Sequence, residues 1–153
     1  MLTTLTIAAV LAAGTITGTD ERDRLTGTAG ADRIHALAKD DIVTAGGGAD
    51  MVDGGTGEDV VSAGPGNDSV YGRSGKDRLA GGAGADRLVG SSGGDRINGG
   101  PGADTIDGGK DSDTILVRDG TRDRVVCGTG KADRVVADRG DSVAGDCERV
   151  ERR

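Results

Sequence analysis

The sequence predicts an all-β solenoid of nine-residue units, two to a coil, and three observations carry that reading. Aspartate recurs every nine residues at positions 23, 32, 41, 50, 59, 68, 77, 86, 95, 104 and 113. An aliphatic residue follows each one two positions later: Leu25, Ile34, Val43, Val52, Val61, Val70, Leu79, Leu88, Ile97, Ile106 and Ile115. Glycine keeps its own phase, five, four and two residues ahead of the aspartate, as in Gly81, Gly82 and Gly84 before Asp86.

Each unit therefore reads as a six-residue glycine turn and a three-residue strand. Glycines at fixed offsets mark backbone angles that other residues resist, or close backbone approach. Only the central strand residue is reliably apolar, so only that one needs to face inward. A single nine-residue unit cannot bury that residue, but stacked neighbours can. Two units per coil place strands on two faces and turns on two edges, with units i and i+2 about 4.8 Å apart. The aspartates then form two ladders, one through positions 32, 50, 68, 86 and 104 and the other through 23, 41, 59, 77, 95 and 113.

Composition agrees with a thin core. The 153 residues include 30 glycines, one tyrosine and no Phe or Trp, so large apolar side chains are scarce. With 26 acids against 19 bases the net charge is −7, which argues against a nucleic-acid partner and for a cationic one. Carboxylates stacked about 5 Å apart repel by ~1 kcal/mol per pair in water and ~3 at an effective dielectric of 20. Burying one Val or Leu per unit returns only ~2 kcal/mol, while ordering nine residues costs roughly 9 or more. A hard divalent ion between successive carboxylates and turn carbonyls offsets the repulsion, and calcium suits such oxygen ligands.

The ends of the chain read differently. Residues 1–14 contain a short apolar run, Leu5 to Ala13, that ends in small residues, so this segment is expected to be an export signal; a buried first strand is the alternative. It is too short for a good membrane span. In an exported protein Cys127 and Cys147 form a disulfide; in a cytosolic one they are two free thiols. After Ile115 the spacing slips, to Asp123, Asp133 and Asp141, while Val125, Val135 and Val143 keep the +2 rule. Residues 15–117 are thus the regular repeats, and 118–153 are degenerate repeats with a C-terminal cap closed by the disulfide.

The units GGAGADRLV (81–89), GGPGADTID (99–107) and GGTGEDVVS (54–62) resemble the RTX or haemolysin-type calcium-binding nonapeptide repeat, GGxGxDxUx with U aliphatic. The resemblance covers about residues 18–115. It implies a parallel β-roll that binds Ca2+ between turns of alternate repeats and orders when calcium binds. Its ligands would be Asp32, Asp50, Asp68, Asp86 and Asp104, with Asp59, Asp77 and Asp95 on the other edge. The turn carbonyls would come from Gly46, Gly48, Gly64, Gly66, Gly82, Gly84, Gly100 and Gly102. Ala36, Leu37, Lys39, Arg73 and Asp111 depart from the glycine pattern, and all lie on the ladder through Asp59, Asp77 and Asp95. The other ladder is expected to bind calcium better, best around Asp50, Asp68 and Asp86.

Arginine follows many of the aspartates (Arg24, Arg33, Arg78, Arg87, Arg96) and points outward by strand alternation. It reads first as a solvated face, with recognition of an anionic polymer as the alternative. No HExxH motif occurs, and the single histidine, His35, reads as a surface residue, so no enzyme activity is expected. A secreted, monomeric calcium-binding protein with a structural, adhesive or ion-binding role follows, meeting calcium and a cell-surface or extracellular polymer. An accessory module of an exported protease, lipase or toxin, with the activity on another chain, is the second reading.

Overall fold

A computed structural model describes residues 14–152. All of the expected leader except Gly14 lies outside the described residues. Sixteen strands and no helix occur among them, numbered here in chain order. One sheet holds β1 (Thr15–Thr17), β3 (Arg33–His35), β5 (Met51–Thr56), β7 (Ser69–Ser74), β9 (Arg87–Ser92), β11 (Thr105–Lys110), β13 (Arg124–Gly128) and β15 (Ser142–Val143). The other holds β2 (Arg24–Thr26), β4 (Ile42–Thr44), β6 (Val60–Pro65), β8 (Arg78–Ala83), β10 (Arg96–Asn98), β12 (Thr114–Val117), β14 (Arg134–Ala137) and β16 (Arg149–Arg152).

Consecutive strands alternate between the two sheets, and every pairing is parallel to the strand one coil away. Val52 sits opposite Ile34 and Val70, and Leu88 opposite Val70 and Ile106. This is the expected parallel β-roll with two repeats per coil. Near the C-terminus the coil lengthens from 18 residues to 19 and then 20, yet the register closes again. The slipped spacing after Ile115 is therefore absorbed in turns rather than strands.

Several strands are longer than the expected three residues. β5, β6, β7, β8, β9 and β11 each run six residues, into the glycine positions. Successive turns have the same shape and stack in register, so their amides also bond from coil to coil: Gly82 N to Gly99 O at 3.0 Å and Gly66 N to Ala83 O at 2.8 Å.

The core is two facing columns of single aliphatic residues. Ile34, Val52, Val70, Leu88 and Ile106 come from one sheet and Val43, Val61, Leu79, Ile97 and Ile115 from the other, all buried. A second inward position, two residues further along each strand, was not anticipated. It holds only small residues through the regular repeats, Ala36, Ala45, Gly54, Ala63, Gly72, Gly81, Gly90, Gly99 and Gly108. Later it takes Val117, Cys127 and Ala137. The cysteine in this column is disulfide-bonded to Cys147, with Cα atoms 5.2 Å apart. The bridge ties β13 to the segment that follows β15, a link worth about 3 kcal/mol in the loop-entropy picture. The final strand, β16, is exposed along its whole length.

Two substitutions separate the column from the stacked turns. Leu88→Ala should cost about 2–5 kcal/mol in thermal or denaturant unfolding, while truncating the outward Met51 to Ala should stay within ~0.5. Gly84→Ala should destabilise by more than ~1 kcal/mol, because Gly84 sits at φ +141° and an added Cβ would overlap the Gly66 carbonyl oxygen. A Gly84→Ala chain as stable as the parent would contradict the turn stacking.

Candidate metal centre

Every ladder aspartate is turned inward. Asp50, Asp68, Asp86 and Asp104 on one edge, and Asp59, Asp77, Asp95 and Asp113 on the other, are at most 2% exposed. The reason is a repeated hydrogen bond. Each aspartate's backbone N–H donates to Oδ1 of the aspartate one coil further on: Asp50 N to Asp68 at 2.8 Å, Asp68 N to Asp86 and Asp86 N to Asp104 at 2.9 Å. The other edge repeats it, Asp59 N to Asp77 at 2.9 Å and Asp77 N to Asp95 at 2.8 Å. The ladders continue through Asp123, Asp133 and Asp141. One ends where Asp133 N donates to the Glu148 carboxylate at 3.0 Å, a substitute for aspartate that the nine-residue spacing does not reveal.

Oδ2 is different. On Asp41, Asp50, Asp59, Asp68, Asp77, Asp86, Asp95, Asp104, Asp113, Asp123 and Asp133 it is buried and has no hydrogen-bond partner among the described residues. A buried acceptor left unsatisfied costs about 1–3 kcal/mol, more when charged. Eleven of them would cost on the order of 10–30 kcal/mol, beyond the typical 5–15 kcal/mol stability of a folded domain. These oxygens therefore take a proton or a cation.

The surroundings favour a cation. At Asp59, Asp77, Asp86, Asp95 and Asp113, Oδ2 packs against the inward glycine five positions before its own aspartate, and a carbonyl from the next coil closes on the same space. A Cβ built on Gly54 would lie 2.7 Å from Asp59 Oδ2 and 2.9 Å from the Gly72 carbonyl oxygen. The same convergence recurs at Gly72, Gly81, Gly90 and Gly108, so a larger residue there would fill an oxygen-lined cradle.

Turn carbonyls add further oxygens. Gly46, Gly48, Gly64, Gly66, Gly82, Gly84, Gly100 and Gly102 all have positive φ. In neighbouring turns the carbonyl four residues before the aspartate receives an N–H from nineteen residues on, as in Gly47 N to Thr28 O and Thr56 N to Leu37 O. At Gly46 and Gly82 the residue in that place is Pro65 and Pro101, which have no N–H. Both prolines of the chain thus fall on the edge of Asp50, Asp68, Asp86 and Asp104, freeing carbonyls there. The Gly48, Gly66 and Gly84 carbonyls likewise receive no backbone donor among the described residues. Carboxylate and carbonyl oxygens with no nitrogen or sulfur form the donor set of a hard cation.

The edges differ as the glycine departures predict. Among the described residues, the five non-glycine positions with positive φ, Leu37, Lys39, Arg73, Ser91 and Asp111, all lie on the edge of Asp59, Asp77 and Asp95. Each holds a left-handed conformation that costs an L residue roughly 1–2 kcal/mol. Arg73 is further tied outward, its guanidinium donating to both carboxylate oxygens of Asp53 at 2.6–3.1 Å and lying over the Tyr71 ring.

Asp32 stands apart from the other predicted ligands. Its Oδ2 already accepts from Thr28 N at 2.6 Å and the Thr28 hydroxyl at 2.8 Å, and its Oδ1 from Gly14 N. Burial works against the charge, but these donors outweigh it and hold the carboxyl below the usual range. Thr19 caps Asp23 in the same way. Threonine at the second turn position, where the later repeats have glycine, was the available signal.

The ladder carboxyls from Asp41 to Asp133 shift upward. Burial is the main cause, against the pull of the backbone N–H, and the like charge of ladder neighbours adds to it at positions such as Asp59, Asp95 and Asp104. Asp59, Asp95, Asp104 and Asp113 rise to about 7, and Asp41 and Asp123 to about 6. Burial also raises Asp50, Asp68, Asp77 and Asp86.

A family model described as the RTX calcium-binding nonapeptide repeat matches in four copies, over residues 17–52, 26–61, 53–88 and 81–115. No curated protein matches the chain.

The shifts give a pH dependence of definite sign. A carboxyl whose folded pKa is raised binds more protons folded than unfolded, so its contribution to stability is fullest below the ordinary value of 3.8 and is lost as pH rises towards about 7. In chelator the coil should hold more β structure and melt higher at pH 5 than at pH 8. Calcium should reverse that order, since it needs the ionised form. Equal melting at both pH values in chelator would contradict the assignment of buried, unpartnered carboxyls.

Proposed function

This chain belongs to the RTX calcium-binding nonapeptide repeat family, and from that premise we propose that it is an exported calcium-binding module whose coil orders as the ion enters between successive turns. The observation that carries the proposal is the run of buried Oδ2 atoms without partners. A cation bridging them relieves both the desolvation and the repulsion along the ladder. Without it, the thin aliphatic columns and glycine-rich turns provide little to offset the entropy of ordering.

The edge of Asp50, Asp68, Asp86 and Asp104 carries the stronger sites in this reading. It has glycine at the positive-φ positions, free carbonyls opposite both prolines and complete half-sites on either side. Asp59, Asp77 and Asp95 bind more weakly, and Asp32 serves the coil through Thr28 instead. Residues 15–117 act as the calcium-binding repeats and 118–153 as the degenerate coils that close the solenoid. Export rests on the disulfide, which persists in oxidising compartments, and on the apolar run in residues 1–14. Outside a cell, calcium is plentiful and a calcium-dependent fold becomes stable on delivery. The role that follows is structural or adhesive, without catalysis.

Far-UV circular dichroism during a calcium titration of chelated protein tests this reading. A cooperative gain of β signal, absent with magnesium, is expected. Asp68→Asn should shift the midpoint to higher calcium, and Asp32→Asn should move it far less. A chain fully folded in chelator and unmoved by calcium would overturn the proposal.

A further inference from the structure

The net charge of −7 conceals a basic exterior. Fourteen of the 26 acids are ladder aspartates buried in the coil, from Asp23 to Asp141. The rest of the sequence has 12 acids against 19 bases, a balance of +7. Once the ladder is neutralised, the surface that a partner meets is cationic.

That charge is unevenly spread. On the sheet of even-numbered strands, the outward residues from β2 to β14 are Arg24, Thr26, Ile42, Thr44, Val60, Ser62, Arg78, Ala80, Arg96, Asn98, Thr114, Leu116, Arg134 and Val136. None is acidic. The first carboxylate on this face is Glu151 in the last strand, which pairs with Arg134. The opposite face carries Asp53 and Asp107. Arg78 and Arg96 are direct cross-strand neighbours, both exposed, and neither forms an ion pair among the described residues. Like charges directly opposed across a parallel pair repel, and an anion between them relieves it.

A groove of about 420 Å³ runs beside this pair across β6, β8, β10 and β12. Arg78 and Arg96 line it with Ser62, Ala80 and Asn98, and Val60 and Leu116 are among its remaining residues. We propose that this groove binds a linear polysaccharide bearing carboxylate or sulfate groups, laid along the solenoid axis. The arginines take the anionic groups at one per coil, Ser62, Asn98 and Thr114 take hydroxyls, and the aliphatic residues take the C–H faces of the sugar rings. Nucleic acid fits less well, because single strands are held by aromatic stacking and the one tyrosine, Tyr71, lies on the other sheet beneath Arg73. A bilayer fits less well because Val60 and Leu116 stand on the outer strands of the groove, with the Arg78 and Arg96 strands between them.

The proposal rests on the calcium-ordered coil, which sets the arginines in register, and the test separates the two. Full-length protein in calcium would be titrated with dextran sulfate, hyaluronate, neutral dextran, poly-dT and phosphatidylserine vesicles, with circular dichroism recorded on every sample. Saturable binding to dextran sulfate or hyaluronate, weakening with salt, is expected, with none to dextran. Arg78→Gln/Arg96→Gln should reduce affinity about ten-fold or more and leave the calcium-induced β signal intact. Arg33→Gln/Arg87→Gln, on the opposite face, should change it less than about two-fold. Equal losses in the two double variants, no binding to either polysaccharide, or tighter binding to poly-dT or vesicles would overturn the groove assignment. If calcium leaves the dichroism unchanged but the Arg78/Arg96 dependence holds, the calcium reading fails and the polysaccharide site stands.

Discussion

The second carboxylate oxygen of each ladder aspartate is the constraint on which this solenoid depends. Oδ1 is used within the backbone, where it accepts the amide of the aspartate one coil before and locks the 18-residue register. That bond pulls the carboxylate inside. Oδ2 is then buried with no protein donor at eleven successive positions, and a charged group in that state is costly unless paired. The hydrogen bond that sets the register therefore also creates the demand for a proton or a cation at Oδ2.

Other features follow from that demand. The inward glycine beside Oδ2 of Asp59, Asp77, Asp86, Asp95 and Asp113 leaves room for oxygens, and a Cβ there would collide with carboxylate and carbonyl together. Glycines with positive φ aim turn carbonyls along the stack. Prolines at positions 65 and 101 withhold an N–H from carbonyls on one edge only. At the ends of the ladders the demand is met differently, by the Thr19 and Thr28 hydroxyls at the start and by the Asp138 N–H, which donates to Asp141 Oδ2, at one finish. Where protein donors are supplied, as at Asp32, the carboxyl stays acidic; where they are not, burial drives it upward.

Much of this was legible because a repeat multiplies weak signals. The nine-residue spacing of aspartate, with the aliphatic residue two places on, specified strand, inward column and coil length. Over Asp123, Asp133 and Asp141 the spacing slips, but the aliphatic residue two places on, Val125, Val135 and Val143, was enough to continue the sheets. What stayed hidden depends on contacts between coils. Nothing local marks the second inward position, because Ala45 and Gly81 read as parts of a turn until stacking places them inside. Asp32 looked equivalent to Asp50 because its difference lies in the donors that fold onto it, the N–H and hydroxyl of Thr28 and the N–H of Gly14. Net charge misled for a related reason: it counts buried and exposed acids alike, and the even-stranded face with Arg78 and Arg96 has no exposed acids before Glu151.

The most direct measurement is a crystal structure of the protein grown in calcium, with ions located by anomalous scattering. The account predicts ions between successive turns on the edge of Asp50, Asp68, Asp86 and Asp104, each within about 2.3–2.6 Å of an Oδ2 and of turn carbonyl oxygens. Density showing these oxygens bonded to protein groups or water alone, with calcium bound only at the surface, would contradict it.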